Sequence, residues 1–280
     1  MQEPSDQRLT LFGCWRLTRG DHPVEVPWRS QRLATLLALR GRQPRPHLAG
    51  VLWPDVPEER AHASLRSALT RLRRHAPGLI HHDRGNLQLA DGVTVDVAEF
   101  QGVARQVLSG DARAAAAASA HQATLTGGEL LPGWYDDWVI AERERVHQLR
   151  LHALEALARH LLERGAYAQA LEAALTAVGI DPLRESAQRA LLEVHLAEGN
   201  TAEAVRQYDR FRSILRDELD VAPTHHMTGL IARATAGARS EHDRGGRTRR
   251  QAAWPSRDEA QAPRALAPSA PRSGVGTSSS

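Results

Sequence analysis

Arg66, Ser67, Thr70 and Arg73 lie in the run PEERAHASLRSALTRLRR, residues 57–74, at spacings that share one side of an α-helix. Two guanidiniums and two hydroxyls on one helical face can read bases. Arginine pairs bidentately with guanine, and a hydroxyl reaches a base edge or a phosphate oxygen. Arg74 extends this face, and His62 stands at its border. The other side is apolar: Ala61, Leu65, Ala68, Leu69 and Leu72 follow i, i+4, i+7, i+8 and i+11. Pro57 suits a first helical turn, and Glu58 and Glu59 sit where the helix dipole favours anions. Such a helix has two readings, a solvated charged face or a face that meets a polyanion. What flanks it decides between them.

Upstream, Leu9 to Trp15 (LTLFGCW) reads as a strand, RLTRGDHP as a turn, and VEVP as a second extended piece. Ser30 is a candidate N-cap for a helix over Gln31–Arg40, which Gly41 ends. A short helix follows over Arg45–Leu52 and stops at Trp53-Pro54, ahead of the basic helix. Downstream, Leu79–His82 and Leu87–Leu89 form a hairpin around Asp83-Arg84-Gly85-Asn86. Strands, helix, helix, basic helix and hairpin are the order of a winged helix-turn-helix with a leading sheet. In that arrangement the third helix enters the major groove and the hairpin tip, here Arg84, lies beside the backbone or minor groove. Arg66, Ser67, Thr70 and Arg73 then face bases, with His62 at the margin. Arg74, Arg84, Arg29 and Arg32 suit phosphates. This domain is placed at 8–96, after a disordered 1–7.

From residue 97 to 236 the pattern is helical. Val93–Phe100 passes from strand alternation into helix, and the Ala-rich 112–120 reads as helix. After breaks at Gly127-Gly128 and Leu131-Pro132-Gly133 comes a long helix over Val139–Glu163, with Leu149, His152, Ala153, Ala156, Leu157 and His160 on one face. Gly165-x-x-x-x-Ala170 recurs as Gly199-x-x-x-x-Ala204, an offset of 34 that also relates Leu162 to Leu196 and Ala174 to Tyr208. That offset is the tetratricopeptide (TPR) spacing, in which each helix pair buries its apolar side only by stacking on a neighbour. Small residues at 168, 170, 202 and 204 would let the helices approach closely. The tail 237–280 is rich in Pro, Gly, Ser and Arg and reads as disordered, with Arg247, Arg249 and Arg250 adding non-specific attraction to nucleic acid. The expected fold is therefore mainly α with a small β component: an N-terminal winged helix-turn-helix followed by an all-α TPR-like helical repeat domain.

The formal charge of +3 divides unevenly. Residues 8–97 carry 14 Arg against 8 acids, whereas residues 98–236 carry 14 Arg against 19 acids. Only the first region is expected to meet a polyanion. The acidic one is expected to mediate self-association, as a homodimer at least on DNA. Cys14 is the one cysteine and reads as a buried, inert thiol. No apolar run approaches the roughly 20 residues needed to span a bilayer, and the polar start MQEPSDQR shows no signal peptide. A cytoplasmic protein without membrane contact is expected. No HExxH, CxxC or GxSxG occurs. The adjacent pairs His81-His82 and His225-His226 chelate poorly on strands, where neighbours point to opposite faces. Asp136-Asp137 and Glu142-x-Glu144 read as solvated or helix-start charges, and Trp134 and Trp138 as core or a packing edge, with ligand stacking as the alternative. No enzyme activity, cofactor or metal is expected.

The runs RLTLFGCWRL, WRSQRLATLLALRG, LAGVLWPDVPEERAHASLRSALTRLRR, LLPGWYDDWVIAERERVHQLRLHALEAL and LAEGNTAEAVRQYDRFRSILRDELDVAP resemble the actinobacterial antibiotic-regulatory activators, the SARP family. Together they span about residues 8–230. The resemblance implies an OmpR/PhoB-like winged helix joined to a bacterial transcriptional activator domain. It also implies binding to direct repeats in promoters and recruitment of RNA polymerase to biosynthetic genes. Large members append an ATPase domain; with no Lys in the chain, a GxxxxGK(S/T) phosphate loop is impossible here. The rival reading is a helical-repeat scaffold or ligand sensor whose winged helix binds protein rather than DNA.

Overall fold

The computed structural model describes residues 7–110 and 122–237. The Ala-rich 112–120, the first six residues and the tail from 238 onward lie outside the described residues. The leading sheet holds β1 (Gln7–Thr10), β2 (Arg16–Arg19), β3 (His22–Pro23) and β7 (Val93–Val95) in the order β3-β2-β1-β7. β1 runs antiparallel to β2, Leu9 facing Leu17, and parallel to β7, Leu9 facing Val95. Here the structure corrects the sequence reading. The stretch Arg16–Arg19, expected to be a turn, is β2, and Val24 to Pro27 forms no strand. Gln7, assigned to a disordered start, opens β1 and is buried, its Nε2 donating to the Pro77 carbonyl at 3.0 Å. Cys14 is exposed rather than buried, because it lies in the connection between β1 and β2 and not in a strand.

Three helices follow, α1 (Trp28–Arg40), α2 (Arg45–Leu52) and α3 (Glu58–His75). Their apolar stripes converge: Leu33, Leu36 and Leu37 meet Leu48 and Leu52, together with Leu65, Leu69 and Leu72. Full burial of each leucine contributes about 1.5–3 kcal/mol. Gly41 ends α1 at φ 69°, a left-sided conformation that a β-carbon disfavours. Ser30 is no N-cap, since α1 starts two residues before it, after Pro27. Its buried hydroxyl donates instead to the Ala68 carbonyl at 2.9 Å, tying α1 to α3. The wing is a second sheet of order β4-β6-β5, from β4 (Gln43–Pro44), β5 (Ile80–Asp83) and β6 (Asn86–Leu89).

α4 (Asp96–Leu108) leads out of β7, and a single turn, α5 (Gln122–Leu125), precedes the long α6 (Asp137–Glu163). Helices α7 (Tyr167–Ile180), α8 (Glu185–Ala197) and α9 (Thr201–Leu219) complete the array, with a last helix over 225–237. α7 and α9 begin at equivalent positions of the repeat. Ala170 and Ala204 are fully buried where the helices approach, joined by Ala173, Ala174 and Ala177. Ala168 and Ala202 face solvent, so only half of the expected small-residue contacts exist. On α6 His152 is exposed too, although Ala153, Ala156 and Leu157 are buried as expected. His225 and His226 sit on a helix, not a strand, and both are exposed.

Candidate nucleic-acid interface

α3 is held by its apolar stripe, so its other side is fixed outward. Arg66, Ser67, Thr70, Arg73 and Arg74 are all exposed along that side. Thr70 Oγ1 donates to the Arg66 carbonyl at 3.0 Å, which leaves its lone pairs to accept. His62 is half-buried at the border, with Nε2 3.5 Å from Glu58 Oε1. The wing tip carries Arg84 at φ 42° and Gly85 at φ 87°, the two positive angles of a primed two-residue hairpin turn. Arg84 is exposed there. Arg29 is exposed in the first turn of α1.

Arg32 behaves differently. Its Nη2 pairs with Asp136, and the two side chains are only 15% and 17% exposed. The expected phosphate contact of Arg32 is therefore corrected: its charge is spent holding α1 against the segment before α6. About two turns along α1, Arg40 Nε meets Glu142 Oε1 at 2.9 Å. Glu142 is thus a buried ion-pair partner and not a solvated helix-start charge.

The same junction carries aromatic contacts. Trp28 and Trp134 meet in a tilted contact with centroids 4.2 Å apart at 60°, and Trp134 and Trp138 are both buried, so the tryptophan pair packs rather than standing free. Phe12 and Phe100 meet edge to face at 5.6 Å, and the buried Arg150 guanidinium lies 5.0 Å and 5.4 Å from their centroids. Burial lowers the pKa of Arg150 from its ordinary value. Asp96 accepts from the backbone N–H groups of Leu11 at 2.8 Å, Phe12 at 2.9 Å and Val97 at 2.8 Å, clamping the end of β1 to the start of α4. Winged helix and helical array thereby belong to one compact unit that extends to Thr235.

Arg42, Arg45 and His82 escaped the sequence reading as interface residues. Arg42 pairs with Asp83 at 2.6 Å across the wing. Arg45 and Arg73 approach the two ring nitrogens of His82, at 3.1 Å and 2.7 Å. The two-residue β4 that brings Arg42 and Arg45 to the wing is too short to leave a pattern. His82 shows only as half of a poor metal pair. Among the described residues no three His, Cys, Asp or Glu converge to hold a metal ion, and no helix is long and apolar enough to cross a membrane.

The described residues form a winged helix packed on an array of helical hairpins. Residues 95–234 match the model of the bacterial transcriptional activator domain. The regulatory protein AfsR of Streptomyces coelicolor is 31% identical over 244 residues, covering 83% of this chain and 24% of that protein. AfsR of Streptomyces griseus is 29% identical over 239 residues, again 24% of its length. The chain therefore spans about a quarter of these relatives. A structure of Mycobacterium tuberculosis EmbR in complex with a low-affinity phosphopeptide shares the fold, with a TM-score of 0.67 at 21% identity over 83% of this chain and 66% of that one. The chain belongs to the bacterial transcriptional activator domain family and is a SARP-type transcriptional regulator.

Proposed function

We propose that the chain binds promoter DNA sequence-specifically and activates transcription of biosynthetic genes, without enzymatic activity. One observation carries this reading. Arg66, Arg73, Arg74 and Arg84 form an exposed basic surface on α3 and the wing, and among the described residues none of them has a carboxylate within ion-pair distance. Unpaired guanidiniums on a helix that fits a major groove supply both the phosphate attraction and the base contacts that specific binding needs. Arg66, Ser67 and Thr70 face bases; Arg74, Arg84 and Arg29 face phosphates; Arg73, expected on the base-reading face, turns to His82 at the wing; His62 borders the groove. The acidic helical array makes the protein contacts, to RNA polymerase or to a second copy on direct repeats. The kinship with AfsR of Streptomyces supports antibiotic biosynthesis as the regulated class of genes and the cytoplasm as the place.

The test is a gel-shift titration of the chain on promoter fragments around its own gene, with excess random DNA, at two salt concentrations. A shift that saturates, survives competitor and weakens steeply with salt is expected. A shift erased by competitor, or none, returns the winged helix to the protein-binding reading.

A further inference from the structure

Arg45 at the start of α2, Arg73 on α3 and His82 on β5 meet at the seam between helices and wing. Arg73 Nη2 stands 2.7 Å from His82 Nε2, and Arg45 Nη2 3.1 Å from Nδ1. A guanidinium only donates, and a neutral imidazole offers one lone pair and one N–H. Only one of the two contacts can therefore be a hydrogen bond; the other sets donor against donor. Protonation of the ring would leave both contacts donor to donor and bring three cations together. No carboxylate among the described residues pairs with any of the three. Asp83, next along the strand, turns to the other face and pairs with Arg42.

We propose that Arg45, Arg73 and His82 form a seat for one backbone phosphate of the bound DNA, and that His82 takes up a proton as the phosphate enters. The inference rests on the DNA-binding reading above. A phosphodiester between the three groups accepts from both guanidiniums and from an imidazolium N–H, and it removes the donor–donor conflict.

The charges around the ring give the sign of the effect. Facing His82 are Arg73 from α3 and Arg45 from α2; His81 and the Arg42–Asp83 pair flank it on the wing. In the free protein its pKa lies below the ordinary 6.5, first through burial, then through Arg73, Arg45 and His81. A phosphate within hydrogen-bond reach favours the charged ring and raises the pKa of the complex. Affinity is then independent of pH above the bound pKa and rises as pH falls through it. It levels off below the free value. Free stability moves the other way: the depressed pKa makes His82 destabilising as pH falls below 6.5.

The experiment is fluorescence anisotropy of the full chain on a labelled promoter fragment between pH 8 and pH 5.5 at constant ionic strength. His82→Gln and Arg45→Gln are run beside the wild type. With 14 histidines in the chain, the difference between wild type and variant is the readout. The wild type should gain about tenfold in affinity over His82→Gln for each unit by which phosphate raises the pKa. Arg45→Gln should lower the slope of log affinity against log salt by about 0.9, one phosphate contact. It also serves where His82→Gln folds poorly. DNA binding with the same pH profile in wild type and His82→Gln, or an unchanged salt slope in Arg45→Gln, overturns the seat and leaves the DNA reading standing. No DNA binding at any pH overturns both.

Discussion

Arg32 on α1 and Arg66 on α3 belong to the same basic N-terminal region, yet the structure puts them to opposite uses. Arg32 meets Asp136 in a largely buried pair, and Arg40 below it meets Glu142. Arg66 stands exposed, with no acid in reach among the described residues. The acids that neutralise α1 come from the segment before α6 and from α6 itself, within the region whose net charge is negative. Charge asymmetry along this chain therefore does two jobs. Part of it docks the winged helix on the helical array, and what remains unpaired on α3 and the wing forms the outward basic face. A count of arginines cannot separate these uses; the position of the counter-charge does.

The largest effect should come from breaking the docked side. Asp136→Ala leaves the Arg32 guanidinium short of its counter-charge in a mostly buried place, a change that costs roughly 2–4 kcal/mol. Urea unfolding of wild type and variant measures it directly. A loss below about 0.5 kcal/mol, the range of ordinary surface changes, would place Arg32 on the solvated side of the comparison. On the outward side the expectation inverts. Arg66→Ala should leave stability within about 0.5 kcal/mol of wild type. It should also lose roughly 1–3 kcal/mol of specific DNA affinity and relax base preference. If specific and random DNA weaken by one common factor, Arg66 touches phosphate only.

These two arginines also mark what the sequence could tell. The exposed face of α3 was legible because its apolar stripe has helical period; once Leu65, Leu69 and Leu72 point inward, Arg66 and Thr70 must point outward. The wing was legible through Gly85, whose turn fixes the hairpin. The fate of Arg32 was not, since its partner lies 104 residues away and no local pattern couples them. β2 was missed because only Leu17 of its four residues is buried, too few for alternation to appear. His82 was hidden for a third reason. It faces Arg73 only because the hairpin folds back on α3, a tertiary contact between residues that share no helical or strand period.

The smallest expected effect is the most discriminating, and it concerns Arg84. The first central position of this turn has φ 42°, a conformation that costs an ordinary L-residue about 1–2 kcal/mol and that asparagine tolerates far better. A turn chosen for folding alone would carry Asn-Gly; this one carries Arg-Gly at an exposed tip. The strain has a use if the guanidinium meets a phosphate when α3 is seated in the groove. Arg84→Asn should then separate the two quantities. Thermal stability should hold or rise by up to about 1 kcal/mol, the part of the strain that asparagine relieves. The slope of log affinity against log salt should fall by about 0.9, and affinity should drop by one factor on specific and random DNA alike. A variant that gains stability and keeps its full salt slope would mean that the wing tip stands clear of the DNA, and that binding rests on α3 and the seam behind it.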